Sequence, residues 1–218
     1  LRVLIQINFK GNFEINLDKN SKVMAKGRMN LFARSIDATY NLQILELAKL
    51  EHLINWPLKG PLNTSGIVNG NLSRLFIKGV SDVASGKTGY QIMLIDFEPK
   101  GVKVTIKGAH IEEILHLLNQ PLYASGLLDV TADVSNISLK RIGMDGLVKT
   151  KIYQGKANGD VVNKEFGIML PQQMAFKCDV HTRLKKKLAI SKVNFFSDIA
   201  NLSSQRSVVD LQGATVET

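Results

Sequence analysis

The sequence predicts a mainly β fold with a few short helices. It is an extended antiparallel sheet with one apolar face, built from repeats of a helix followed by several strands. Three observations lead there. Apolar and polar residues alternate over long stretches, two segments switch to helical spacing, and those two segments sit in matching surroundings.

The strands come first. Phe13, Ile15 and Leu17 alternate with Asn12, Glu14, Asn16 and Asp18. Ala38, Tyr40 and Leu42 alternate with Thr39 and Asn41, and Val102, Val104 and Ile106 with Lys103, Thr105 and Lys107. Leu128, Val130, Ala132 and Val134 alternate with Asp129, Thr131 and Asp133, and Val148, Thr150 and Ile152 with Lys149 and Lys151. This in-out pattern suits antiparallel strands with one wet face, not the continuous apolar strands of a buried parallel sheet. Glycine-containing breaks over residues 58–66, 84–89 and 155–159 read as turns.

The helices come next. From Ile44 to Ile54, the residues Ile44, Leu47, Ala48, Glu51 and Ile54 fall at helical spacing. From His110 to Leu118, Ile111, Ile114, Leu115 and Leu118 form one stripe. Both segments stop just before a proline, Pro57 and Pro121, because the residue before proline avoids the helical region. A third short helix is expected over Asp160 to Phe166.

The surroundings of the two helices match. Leu53-Ile54-Asn55-Trp56-Pro57-Leu58 echoes Leu117-Leu118-Asn119-Gln120-Pro121-Leu122, and the pairs Ser65-Gly66 and Ser125-Gly126 follow. The prolines are 64 residues apart and the glycines 60, so the first copy carries four extra loop residues. This divides the chain into N-terminal strands at 1–43, a first helix-plus-strands repeat at 44–108, and a second repeat with closing strands at 109–218. Such units extend in one direction, because one unit cannot cover its own apolar face.

Composition sets limits. Apolar residues make up 44% of the 218 and charged residues 22%, as in ordinary folded domains. No run of about 18 apolar residues offers a membrane span. The chain opens on Leu1-Arg2-Val3-Leu4-Ile5 and reads as a piece of a longer protein, so that the lack of a targeting or anchoring segment here says little about location. The single cysteine, Cys178, shares a face with Phe176 and Val180 and reads as a small buried hydrophobe.

The net charge of +9 favours anionic surfaces. Arg183-Leu184-Lys185-Lys186-Lys187, the one basic cluster, separates two alternating runs and reads as a solvated hairpin turn. Aromatic residues are only 6% and do not interleave with the basic ones, which speaks against nucleic acid.

A search for chemistry finds no catalytic constellation and no cofactor motif. His110 and His116 are six residues apart and so lie on different helix faces, which excludes the i, i+4 zinc pair. His52 and His116 suit boundary or solvent positions on the helices. Ser85-Gly86-Lys87-Thr88-Gly89 contains Gly-Lys-Thr, but Val80 or Ser81 stands where a phosphate loop needs its first glycine. A tight turn between strands is the better reading. Asp96 and Glu98, flanking Phe97, read as a solvated strand edge. No enzyme is expected.

The helix–Pro-Leu–Ser-Gly–strand pattern resembles the AsmA-like family, which includes TamB and the bacterial bridge-like lipid transfer proteins. The resemblance rests on Asn63-Thr64-Ser65-Gly66-Ile67-Val68-Asn69-Gly70-Asn71-Leu72, on Ala124-Ser125-Gly126-Leu127-Leu128-Asp129-Val130, and on the stretch from Gly146 to Ala157. It covers about residues 38 to 212. It implies a Gram-negative envelope protein anchored in the inner membrane and projecting into the periplasm. It also implies a curved, taco-shaped β-trough carrying phospholipid or, alternatively, handling nascent outer-membrane protein.

Three readings therefore stand: an acyl-chain carrier, an assembly module that accepts a partner strand by β-augmentation, and a sandwich whose apolar faces close on each other. For the first, the candidate lipid-facing residues are Tyr40, Leu42, Tyr90, Ile92, Leu94, Val102, Val104, Ile106, Leu128, Val130, Val134, Val148 and Ile152. The expected partners are a phospholipid or other acyl-chain lipid and outer-membrane assembly proteins. Lys103, Lys107, Lys149 and Lys151 belong to the wet face.

Overall fold

The fold is that of a computed structural model, which describes residues 8–16, 21–30, 34–50, 57–138, 143–211 and 216–217. Among these residues one open sheet of 13 antiparallel strands dominates, and each strand pairs with its neighbours in sequence. In order these are β1 (Asn8–Asn16), β2 (Lys22–Asn30), β3 (Ser35–Ile44), β4 (Leu62–Asn71), β5 (Arg74–Val83), β6 (Gly86–Ile95) and β7 (Glu98–His110). Then follow β8 (Ala124–Ser138), β9 (Gly143–Asn158), β10 (Gln173–Lys186), β11 (Leu188–Ser197), β12 (Asn201–Asp210) and the two-residue β13 (Val216–Glu217).

Register carries the alternation across the whole sheet. Ala25 pairs with Tyr40, Tyr40 with Gly66, Gly66 with Gly79 and Gly79 with Tyr90. The same row continues through Val104, Ala132 and Val148 to Thr182. One residue along, the opposite face reads Lys26, Thr39, Ile67, Lys78, Gln91, Lys103 and Asp133. Because side chains alternate with period two, a one-residue slip would exchange these faces, so the sequence pattern pins the register.

Among the described residues the sheet has no second layer. The chain exposes 14910 Å², whereas a compact protein of 24.1 kDa exposes about 10,000 Å². No large side chain among the described residues is fully buried. A sandwich closed on itself would bury them.

All odd-to-even connections of a meander lie at one end of its sheet, and here that end carries the helices. The enclosed core gathers beneath them: Ile44, Leu47, Ala109, Ala157 and Met174 are buried there. Helix α1 (Ile111–Leu117) joins β7 to β8, and helix α2 (Gly159–Phe166) joins β9 to β10. The Asn158 side chain caps α2 by accepting from the Val161 amide at 3.3 Å, and Gly167 closes it at φ 68°.

Several expectations need correction. The first helix does not begin at Ile44, which ends β3 opposite Leu62 and is buried. The Leu45 amide donates to Ser21 Oγ at 3.1 Å, and among the described residues of this segment a 3₁₀ turn spans Leu47–Leu50. Residues 51–56, with His52 and the first Leu-Ile-Asn-Trp, lie outside the described residues, as do Leu17 and Asp18. Both Ser-Gly pairs lie inside strands, β4 and β8, and Gly155 lies inside β9. These glycines make room for neighbours: a Cβ on Gly155 would stand 2.8 Å from the Phe176 ring.

The turn after β5 is only Ala84-Ser85, both at positive φ, as a tight hairpin requires. Gly86, Lys87, Thr88 and Gly89 belong to β6. Asp96-Phe97 is the next hairpin turn, not a strand edge. The basic cluster mostly ends β10, and the chain turns only at Lys186 and Lys187.

Candidate functional site

The register places every candidate residue on one face of the sheet. Leu42, Ile106 and Val130 share one transverse row. Tyr40, Tyr90, Val104 and Val148 share the next, and Ile92, Val102 and Val134 the third. Leu94 lies two residues beyond Ile92, next to Leu75. Leu128 and Ile152 pair with each other past a bulge at Gly108. All are half-buried, while the alternate residues Lys103, Thr105, Lys107, Thr131, Lys149 and Lys151 are exposed.

Other residues on this face escaped the sequence reading. Val23, Ile77 and Val193 complete the same rows, as does Val180, which the sequence had placed on one face with Cys178. Ile77 was hidden because Leu75-Phe76-Ile77 is a continuous apolar run without alternation. Its middle member, Phe76, points to the opposite, wet face and is 44% exposed. There it joins Ile67, Met93 and Gly101 around a hollow of about 410 Å³, edged by Lys78 and Lys103.

The apolar face is interrupted at its middle by hydroxyls. Tyr40 and Tyr90 reach toward each other over Gly66 and Gly79, and their hydroxyls lie 2.5 Å apart. Thr64 Oγ1 bonds the Tyr90 hydroxyl and also donates to the Val80 carbonyl at 3.0 Å. Ser81 donates to the Asn63 carbonyl at 2.6 Å, and the buried Thr88 Oγ1 has no protein partner. Burial, reinforced by the bond to Tyr90, raises the Tyr40 pKa above the ordinary phenol value.

A second polar zone covers the C-terminal strands. Thr182 and Ser191 bond each other at 2.8 Å, as do Ser204 and Ser207. The apolar surface is thus densest from β6 to β9.

The wet face is organised by ion pairs. Lys103 Nζ lies 2.8 Å from Asp133, and Lys107 Nζ 3.2 Å from Asp129. Asp129 also accepts the Gly108 amide at 2.8 Å and the Tyr153 hydroxyl at 3.3 Å. The Gly108 bond, aided by Lys107, holds its carboxyl below the usual range. This bond ties the β7 bulge to β8.

Cys178 is half-buried rather than buried. It pairs with Phe195, whose ring stacks on Phe176 at 5.5 Å, and burial pushes its thiol pKa up. His116 and His181 are exposed, and His181 Nε2 lies 3.5 Å from Asp179. Among the described residues no helix is long and apolar enough to cross a membrane. No group of three or more histidine, cysteine or acidic residues there could hold a metal ion. No family model, curated protein or solved structure matches the chain.

Proposed function

We propose that this chain is a non-enzymatic lipid-binding segment that carries phospholipid acyl chains along the apolar face of its sheet. The carrying observation is that face: half-exposed aliphatic side chains, densest from β6 to β9, with no second layer over them among the described residues. An uncovered apolar surface of this extent marks a binding site in a folded protein. Two ordinary acyl chains cost on the order of 20 kcal/mol to place in water, so a carrier needs continuous apolar cover and little specificity. Curvature of the sheet into a trough, helix-plus-strands repeats, and a periplasmic setting between inner and outer membranes belong to this proposal. They follow from the resemblance to the AsmA-like family. In the same reading, a segment outside this sequence anchors the full protein in the inner membrane.

One observation favours a second reading. Among the described residues β13 pairs with the outer side of β12 only at Val208 and Val209, and no strand pairs there along Asn201–Ser207. An edge of this kind takes up a further strand, from the chain's own continuation or from a partner, and a partner strand is what an assembly module for outer-membrane proteins would require.

Native mass spectrometry of the purified protein, followed by organic extraction, tests both. Phospholipid bound to most molecules supports the first reading. A lipid-free mass, with an added strand peptide protecting β12 amides from exchange, supports the second and overturns the first.

A further inference from the structure

The wet face of β9 to β12 gathers cations that neither reading uses. One transverse row runs Lys149, His181, Lys192, and the next runs Leu147, Arg183, Ile190, Val208. A bulge in β12 completes the first row. Ser191 pairs with Ser207 and Val193 with Ser204, so Gln205 and Arg206 together stand opposite Lys192. Ser204 and Ser207 bond each other on the apolar face at 2.8 Å, and the two residues between them turn to the wet side. The result is a hollow of about 550 Å³ edged by Lys149, Arg183, Lys192 and Arg206.

The charge here is local and not neutralised. All four cations are exposed, and among the described residues none of their side chains has a carboxylate or hydrogen-bond partner. From β8 to β12 the one carboxylate in these two rows is Asp133, and Lys103 holds it at 2.8 Å. His181 stands between Lys149 and Lys192, with Asp179 3.5 Å from its ring. The flanking rows mix signs: Asp129, Lys151 and Asp179 on one side, Asp145, Lys185 and Asp210 on the other. The positive field is therefore confined to the hollow.

Spacing selects the occupant. Neighbouring strands lie about 4.8 Å apart and alternate residues about 7 Å apart, so the four cations stand roughly 5–15 Å from one another. A single phosphate reaches one or two of them, whereas a ligand with several phosphoryl groups reaches all four. Guanidinium groups grip phosphoryl oxygens in pairs. Leu147, 51% exposed, and Ile190 leave an apolar floor for the C–H face of a ring. Carboxylates in the flanking rows repel a long polyanion or a flat anionic bilayer that overruns the hollow. The geometry points to a binding site for a compact, multiply phosphorylated sugar or cyclitol, gripped by Arg183 and Arg206 with Lys149 and Lys192 around it. The site lies on the opposite face from the acyl-chain rows and stands apart from that reading.

The test is isothermal titration calorimetry with inositol hexakisphosphate at moderate salt. One molecule binds per chain, and orthophosphate gives no measurable heat. The double variant Arg183→Gln, Arg206→Gln weakens binding roughly tenfold or more through lost charged hydrogen bonds. Its thermal melt stays at the wild-type value, because both side chains are exposed. A second pair, Lys149→Gln with Lys192→Gln, weakens binding as well. The control pair Lys78→Gln, Lys87→Gln removes the same charge from the wet face of β5 and β6 and keeps the wild-type affinity. Absence of binding by the wild type overturns the proposal. Equal weakening in the control pair also overturns it, since net charge alone would then explain the heat. Tighter binding per phosphate to a single-stranded oligonucleotide or to phosphatidylglycerol vesicles, lost in the arginine pair, would assign the hollow to those polyanions and equally overturn it.

Discussion

Tyr40 and Tyr90, 50 residues apart in sequence, join their hydroxyls at 2.5 Å over the glycines of two intervening strands. Three strand spacings separate their backbones, about 14 Å, a span two tyrosines bridge only by lying along the sheet. Gly66 and Gly79 leave the floor that permits it. The pair therefore acts as a crossbar that fixes β3 through β6 side by side.

That geometry sets opposite expectations for two glycines. A Cβ on Gly79 would stand 2.5 Å from both tyrosine hydroxyls, whereas a Cβ on Gly89 meets nothing within 4 Å. Gly79→Ala should destabilise the fold by about 1–3 kcal/mol through overpacking and a broken hydroxyl pair. Gly89→Ala should be neutral or stabilise by up to about 1 kcal/mol, by reducing the freedom of the unfolded chain. Urea midpoints of the two variants decide it, and equal losses would remove the crossbar from the account.

The crossbar should also be felt in alkali. Burial first, and the bond to Tyr90 second, raise the Tyr40 pKa in the folded protein. A raised value means that the contribution is fully present below the unfolded phenol value of about 10 and disappears as pH climbs through the folded value. Stability of the wild type should thus fall more steeply than that of Tyr40→Phe above pH ~10, with the two curves parallel below it. Urea titrations across that range measure the difference.

At the other extreme of pH the relevant group is Asp129. The Gly108 amide, with help from Lys107, lowers its carboxyl pKa. A lowered value gives stability that is present above the unfolded value of about 4 and lost as pH falls through the folded one. Asp129→Asn should cost about 1–2 kcal/mol at neutral pH, a charged hydrogen bond discounted for partial exposure. That cost should shrink toward zero in strong acid. A cost independent of pH would mean that the carboxylate charge contributes nothing at the bulge.

What the sequence disclosed followed from periodicity. Strands such as Val102–Ile106 and Leu128–Val134 were legible because lysines, threonines and aspartates mark every second position on the wet face. Where that marking fails, so did the reading: Leu75-Phe76-Ile77 shows no alternation because Phe76 packs outside. Ile44 sat at helical spacing but was claimed by a strand, since pairing with Leu62 buries it. Glycines misled most. Gly66 and Gly155 have turn chemistry, yet they lie within strands beneath Tyr40 and Phe176, partners distant in sequence that no local pattern reveals. The Tyr40–Tyr90 pair and the hydroxyls of Thr64, Ser81 and Thr88 were invisible for the same reason.

The face assignment itself can be tested with two adjacent residues of β7. Val104 lies in the middle of the apolar rows, half-buried between Tyr90 and Ala132, and Thr105 points to the wet face between Gly89 and Thr131. The same substitution at both positions holds strand propensity loss and added charge nearly constant, so only the face differs. Val104→Asp places a carboxylate where acyl chains would lie, and an unpaired charge is costly against hydrocarbon. Bound lipid per folded molecule should drop several-fold. Thr105→Asp keeps its carboxylate in water and should retain lipid at the wild-type level. Lipid phosphate measured on purified, folded protein reads the outcome. Equal loss from both substitutions would place the lipid elsewhere than on this face.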